Sequence, residues 1–508
     1  MIGKWHISAR YWIAVGLLIG CGPAEEESLG ERLERYQREV AEDPSDPEAH
    51  YELGRVYYEQ TRYAQALQVF RRAQTLDSAH VGAQIGIGKV LLVRGELTGA
   101  EEAYLDAAML CDDCAESQRG LGAVYLRQRR YGDAHEAYEQ ALATEPDHAP
   151  SHYNLGVAHS QQSAYREAAV AMERAIELDS DYVLAYASLG EIYCQRLGRC
   201  SDAAALLQRA LERLPEQSGL RTGLGQAQLR LGRDEEAAYN FAAVIAADTT
   251  VVAAYNGLGV AYTRLGKYEE ATEILRRAMH VDLLYPEIHY NLAQAYKKQG
   301  KERESEVAMN AFERIDAYGD EIRRWKTILA GNPQDALARF EMGRIYARLG
   351  IAEAAVEEFQ RALRVNPAHA PTWQGLGTAY ARLQRMDEAI VAYRKALAQD
   401  DGYALAWYNL GNAQMVRGDF AAARKAFAAA LERQVGYADA HHALGGVELR
   451  AGAPAAALEH FRAALEADPN YARSHYGLAM AYRDLGDSLR SVAALETFKK
   501  MQGEGPTK

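Results

Sequence analysis

A basic excess is missing from this chain. Its 57 lysines and arginines face 70 aspartates and glutamates, a formal net charge of −13 over 508 residues. General nucleic-acid binding needs a basic face to meet phosphates, so that class is excluded, though a local basic groove is not. The N-terminal apolar stretch Tyr11–Gly20 lacks the length to cross a membrane: it has ten residues, and a spanning helix needs about 20. Cysteine is scarce, five in all, and its meaning depends on the compartment. No Ser–His–Asp or paired-carboxylate arrangement stands out from the pattern described next. An enzyme is therefore not expected, and no catalytic, cofactor or metal site is assigned.

What is present is repetition. Residues 252–285 read as two amphipathic helices joined by Leu265-Gly266-Lys267, with an apolar skeleton of Leu258, Gly259, Tyr262, Ala271, Leu275 and Ala278. The Gly259 slot recurs at Gly54, Gly88, Gly122, Gly156, Gly190, Gly225, Ala293, Gly343, Gly377, Gly411, Gly445 and Ala479. The step is 34 residues, except 35 between Gly190 and Gly225 and 50 between Ala293 and Gly343. A glycine inside a helix costs about 0.8–1 kcal/mol relative to alanine. Eleven of them imply a place from which a side chain is excluded. Alanine recurs in the second helix, at Ala66, Ala100, Ala134 and onwards, and is the expected partner, small against small. No unit buries its apolar face alone, so stability comes from stacking.

These units resemble the tetratricopeptide repeat (TPR) family over residues 28–500. The resemblance implies an all-α, right-handed α-solenoid of about 13 helix-turn-helix repeats, without a cofactor. It also implies a scaffold that takes protein or peptide segments in its concave groove. Repeats eight and thirteen depart from the pattern at matching slots: Ala293, Ser305, Met309 and Phe312 in one, Ala479, Ser491, Leu495 and Phe498 in the other. A bulky Phe near the end of the second helix reads as a terminal cap. The chain then divides into a capping helix (28–46), an array of eight repeats (47–318), a helical seam with Trp325 (319–335), an array of five (336–500) and a tail (501–508). One unbroken superhelix with a helical extension is the alternative.

Residues 1–20 place Lys4 and Arg10 ahead of the apolar run and lead to Leu18-Ile19-Gly20-Cys21. This ending resembles the bacterial lipoprotein lipobox, which implies a signal peptide cleaved before Cys21, lipid on that sulfur, and residues 21–27 as a tether. Gly22 stands where an Asp would retain some lipoproteins in the inner membrane, which favours the outer membrane facing the periplasm. An uncleaved signal anchor is the alternative. Loss of Lys4 and Arg10 leaves 55 basic against 70 acidic residues, a net charge of −15. In an exported chain the other cysteines are expected as two local disulfides, Cys111–Cys114 and Cys194–Cys200. A four-cysteine zinc site would join pairs more than two repeats apart. A thioredoxin-like role lacks its βαβ setting, and two Asp between Cys111 and Cys114 disfavour the thiolate.

Gly86-Ile87-Gly88-Lys89 superficially resembles a phosphate loop, but no strand precedes it and no Ser or Thr follows the lysine. His50, His152, His289, His441 and His475 share one slot with Trp373, Trp407, Tyr186 and Tyr255. They read as aromatic-sized packing residues and not as metal ligands. A cation recurs late in the first helix at Arg230, Arg264, Lys298, Arg348 and Arg382, with Arg127 and Arg450 further out. It either complements the helix dipole, worth about 0.3–1 kcal/mol, or guides an acidic partner along the groove. Asn154, Asn291 and Asn409 are further candidate contacts; their slot forms an asparagine ladder in the TPR arm of O-GlcNAc transferase, and three scattered residues make no ladder. Two functions remain. One is a lipid-anchored periplasmic scaffold for envelope assembly, secretion or pilus biogenesis, touching the membrane through its lipid only. The other is a regulatory or substrate-binding arm of a cell-envelope enzyme such as a glycosyltransferase or protease.

Overall fold

A computed structural model describes residues 27–111 and 113–503. The expected signal peptide, Cys21, most of the tether, Asp112 and the last five residues lie outside that range. The described residues form 28 α-helices and one short π-helix, with no strand among them. They fall into two compact units that divide between Phe312 and Glu313. The first holds repeats one to eight and the second repeats nine to thirteen.

Each unit opens on a lone helix. Leu29–Glu42 starts with a capping box: the Ser28 hydroxyl accepts from the Glu31 N–H (3.3 Å), and the Glu31 carboxylate accepts from the Ser28 N–H (2.8 Å). Its Leu33, Tyr36 and Val40 pack on the core of repeats one to three. In the second unit Gly319–Gly331 takes the same place against the first helix of repeat nine, Ala336–Leu349. The segment expected as a seam thus opens an array. Repeats eight and thirteen share one construction. The hydroxyls of Ser305 and Ser491 donate to the carbonyls of Ala293 (2.9 Å) and Ala479 (2.8 Å). Phe312 packs on Tyr290 (5.5 Å between centroids) and Phe498 on Tyr476 (5.4 Å).

The recurring glycines meet no alanine side chain. A Cβ on Gly54 would lie 2.5 Å from the ring of Phe70, sixteen residues on in the second helix, and one on Gly86 would lie 2.7 Å from the same ring. Phe70 is therefore held between a glycine of its own repeat and a glycine of the next. Tyr104 (Gly88, Gly120), Phe241 (Gly225, Gly257), Phe359 (Gly343, Gly375) and Phe461 (Gly445, Gly477) repeat the arrangement. The alanine slot stays small for helix closure. The excluded volume that justifies the glycine belongs to a large second-helix side chain, a ring in most repeats and Met172, Leu207 or Leu275 opposite Gly156, Gly190 and Gly259. Gly86 and Gly88, which superficially suggested a phosphate loop, are two such seats in Val81–Arg94.

All thirteen repeats turn between their helices through one left-handed residue. Nine use glycine, and Thr61, Arg129, Ser163 and Gln384 adopt the same conformation with φ of 58–65°. A side chain in that region costs about 1–2 kcal/mol, partly offset by the entropy glycine loses on folding. Gln384→Gly is therefore expected to stabilise the second unit by about 1 kcal/mol, read as a higher thermal midpoint. An unchanged or lower midpoint would contradict that reading of the turn.

The one extra residue of repeat five is absorbed without disturbing this turn. Val183–Glu191 continues as a π-helix over Ile192–Arg196, where the Leu197 N–H reaches the Ile192 carbonyl at 3.0 Å. Gly198 then takes the left-handed position as elsewhere. A wider helical turn thus accommodates an inserted residue while register is kept.

Candidate partner-binding groove

The glycine seats let second-helix rings reach the opposite layer, and this builds a groove. In repeats one to four, a cavity of about 480 Å³ runs past the first helices Pro47–Glu59, Val81–Arg94, Ala115–Arg127 and Ala149–Gln161. Phe70, Tyr104 and Tyr138, from the second helices, line it from below. Tyr51, Lys89, Arg119 and Asn154 are among its walls. Lys89 pairs with Glu116 across a repeat boundary, and Arg119 with Glu145 at the end of its own repeat. The cations are thus largely balanced. The Tyr138 hydroxyl is buried with no hydrogen-bond partner, and burial raises the Tyr104 and Tyr138 phenols far above their ordinary value. At one end His148 shares a hydrogen bond with Ser151 (2.8 Å); burial, then the Arg119 charge, lowers its pKa. The surface offers aromatic faces, neutral hydroxyls and paired charges, features suited to a polypeptide segment.

The three asparagines part company here. Asn154 lines the groove. Asn291 instead donates to the Asn256 carboxamide (2.8 Å) in a buried pair. Asn409 is half-buried in repeat eleven, in the other unit. In five of the ten other repeats this slot holds a glycine that seats a ring (Gly86, Gly120, Gly257, Gly375 and Gly477), which leaves no room for a ladder.

Three of the seven recurring cations are caps reaching across repeats. Arg264 donates to the Leu229 carbonyl (2.5 Å), Arg127 to Leu92 (2.7 Å) and Arg382 to Ala347. Each acceptor lies in the last turn of the preceding repeat's first helix, where carbonyls lack helical partners. Arg348 lies over Tyr318 (6.0 Å) and Arg450 over Phe420 (5.2 Å). Arg230 and Lys298 are exposed and form no ion pair among the described residues. Three members of the expected basic line are thereby committed to backbone.

The histidine slot needs correction too. In eight repeats the property its residues share is a donor, not aromatic size. His50, His152, His289 and His441 bond through Nε2 to the carbonyl six residues back, at 2.8–3.1 Å. Trp373 and Trp407 do so through the indole N–H (2.8 and 2.9 Å), and Arg221 and Arg339 through the guanidinium (3.1 and 3.0 Å). The two arginines in this series carried the signal in the sequence, since they match in donor and not in ring.

Cys194 and Cys200 are bonded at 2.08 Å, bridging the π-helix to the first residue of the next helix. The other expected bridge is not formed. Cys111 ends the second helix of repeat two, Cys114 precedes the first of repeat three, and both are thiols. Burial, the neighbouring Cys114 and a hydrogen bond to it push the Cys111 thiol up.

Models of the tetratricopeptide repeat match residues 33–81, 119–193, 195–251, 322–371 and 408–472, and further TPR models match 259–300, 377–416 and 286–317. The chain belongs to the tetratricopeptide repeat family. Among solved structures, MamA is similar at 23% identity and a TM-score of 0.31, over 33% of this chain and 92% of MamA. YrrB, described as a TPR protein with an unusual peptide-binding site, is 20% identical with a TM-score of 0.32, over 35% of this chain and 93% of YrrB. The Cut9–Hcn1 hetero-tetramer of the APC/C aligns over 89% of this chain and 93% of its own, at 17% identity and a TM-score of 0.33. No curated protein matches the sequence. Membership of this family supports the coarse function, a TPR scaffold for protein–protein interaction.

Proposed function

We propose that this TPR protein is a lipid-anchored scaffold of the periplasm, held at the outer membrane through Cys21. It binds a partner's polypeptide segment in the first-helix groove of repeats one to four, in the service of envelope assembly, secretion or pilus biogenesis. The observation that carries the binding role is the groove itself: a cavity of about 480 Å³ with aromatic rings below and charges already paired. Such a surface gains affinity from apolar burial and shape more than from charge steering. The location rests on the Leu18-Ile19-Gly20-Cys21 ending after a short apolar run. The lone helix and five repeats after Phe312 form the second array of the same scaffold.

Two measurements test this. Cys21→Ala is expected to leave an unprocessed precursor that takes up no radiolabelled palmitate; wild-type protein that starts at Met1 and carries no lipid would defeat the anchor. Affinity recovery from detergent-solubilised envelope tests the groove. Arg55→Ala with Asn154→Ala, both in the cavity wall, is expected to lose at least tenfold of the recovered partner while helicity is unchanged. Equal recovery by this variant would remove the groove from the proposal.

A further inference from the structure

Repeats nine to eleven carry a second kind of cavity, built from the other layer of helices. One, of about 580 Å³, is walled by the second helices Ala352–Val365 and Met386–Gln399 and floored by Trp373, Leu376 and Tyr380 of Ala370–Arg382. The next, of about 400 Å³, repeats the plan one unit later with Trp407, Leu410 and Gln414 on the floor. The second helix of repeat ten stands between them, presenting Val391 and Lys395 to one and Arg394 and Leu397 to the other.

Charge is unevenly satisfied here. The acids around the cavities are engaged: Asp387 with Arg417 (2.7 Å), Glu388 with Arg385 (2.8 Å) and Asp401 with Arg433 (2.5 Å). The cations are not. Arg364, Arg394 and Lys425 meet no carboxylate among the described residues, and Lys395 lies over the Trp373 ring at 4.4 Å. Four cations in excess thus surround two apolar cavities, in a chain of net charge −13. Both indole N–H groups are bonded to backbone, so the tryptophans present faces. In the first cavity Gln360 donates to the Tyr380 hydroxyl (2.8 Å). At the equivalent place in the second, the buried Gln414 carboxamide oxygen has no partner.

We propose that these paired cavities bind an extended acidic segment of a partner protein. Two apolar side chains enter, one per cavity, and flanking carboxylates meet Arg364, Lys395, Arg394 and Lys425. Charge complementarity selects the acidic class, and the leucine, valine and tryptophan walls select apolar side chains over a nucleic-acid backbone. This surface is separate from the groove of repeats one to four and can engage a partner independently of it.

The test uses the full chain and fluorescein-labelled 14-residue peptides with two Phe in a Glu/Asp background, the Phe spaced three to eight residues apart, read by fluorescence anisotropy. At least one spacing is expected to bind, with affinity falling as salt rises. Joint reversal of Arg364, Arg394, Lys395 and Lys425 to Glu should weaken it at least tenfold, and so should replacement of both Phe by Ala. Val391→Glu, at a position half exposed in the first cavity, should weaken it as well and decides the matter if the fourfold variant fails to fold. Arg55→Ala with Asn154→Ala should change nothing, so failure of the groove proposal remains distinguishable. Undiminished binding after charge reversal, equal binding of the Phe-free peptide, or stronger binding of an oligonucleotide of equal charge would each overturn the proposal.

Discussion

Phe241→Ala is expected to cost about 3–5 kcal/mol, the largest effect of any single truncation considered for the first unit. The ring is fully buried. Gly225 holds no Cβ because one would lie 2.9 Å from it, and the Gly257 Cβ would come within 3.0 Å. Two glycines cannot refill the volume a lost ring leaves. Because each repeat depends on its neighbours, the loss should be felt on both sides of the ring. Hydrogen exchange of the full chain should show amides over residues 218–281 losing a hundredfold or more of their protection. Gly257→Ala gives the complementary test. In the wild type it overpacks the seat and should cost about 1–3 kcal/mol. Beside Phe241→Ala it adds bulk to an opened space and should cost less or stabilise. Unchanged exchange in the truncation, or equal harm from Gly257→Ala in both backgrounds, would sink the ring-and-seat account.

The second large effect concerns a carboxylate in the wrong company. Glu448 is 2% exposed. Its Oε1 accepts from Arg424 Nε (2.6 Å), and its Oε2 has no partner. The same slot holds Tyr346, Tyr380 and Tyr482 in other repeats. Removing one member of a buried pair strands the other's charge. Arg424 is itself largely exposed, so Arg424→Ala is expected to cost about 2–3 kcal/mol, somewhat less than a fully buried pair loses. Glu448→Tyr restores the residue used elsewhere and should be neutral or stabilising, with or without Arg424. Thermal unfolding of the four proteins decides it; a neutral Arg424→Ala, or a Glu448→Tyr as harmful as Arg424→Ala, would be the contrary result.

How far the sequence reached follows from where each signal lies. Periodicity shows the helical pairs, because an apolar face and a fixed glycine recur within each unit. It shows that the glycine faces something, but not what. Gly54 and Phe70 are sixteen residues apart on different helices, and Gly86 belongs to the next repeat. Alanine was the more regular feature and so the more tempting partner. The histidine slot misled in a similar way: ring size is visible in a residue's name, whereas a bond to a carbonyl six positions back appears only once the turn has a shape. Cys111 and Cys114 were read by compartment, yet whether two thiols meet across a helix junction is a matter of local geometry. The groove of repeats one to four was legible only in part. Asn154 could be named from its slot, but the rings beneath it arrive from the other helix of each pair.

The arginine bonds give the arrays a direction. Arg127, Arg264 and Arg382 each reach back to the repeat before, and none of these bonds reaches forward. Except at repeat nine, where Arg314 also donates forward to the Leu349 carbonyl, a repeat so capped is completed by its successor and owes nothing of this kind to its predecessor. Shortening an array from its C-terminal side would therefore uncover a bare helix end, while shortening it from the other side would only free an arginine into water. Opening fluctuations should accordingly start downstream and travel upstream, so that a protease acting on the native chain would meet its earliest substrates at the last repeats.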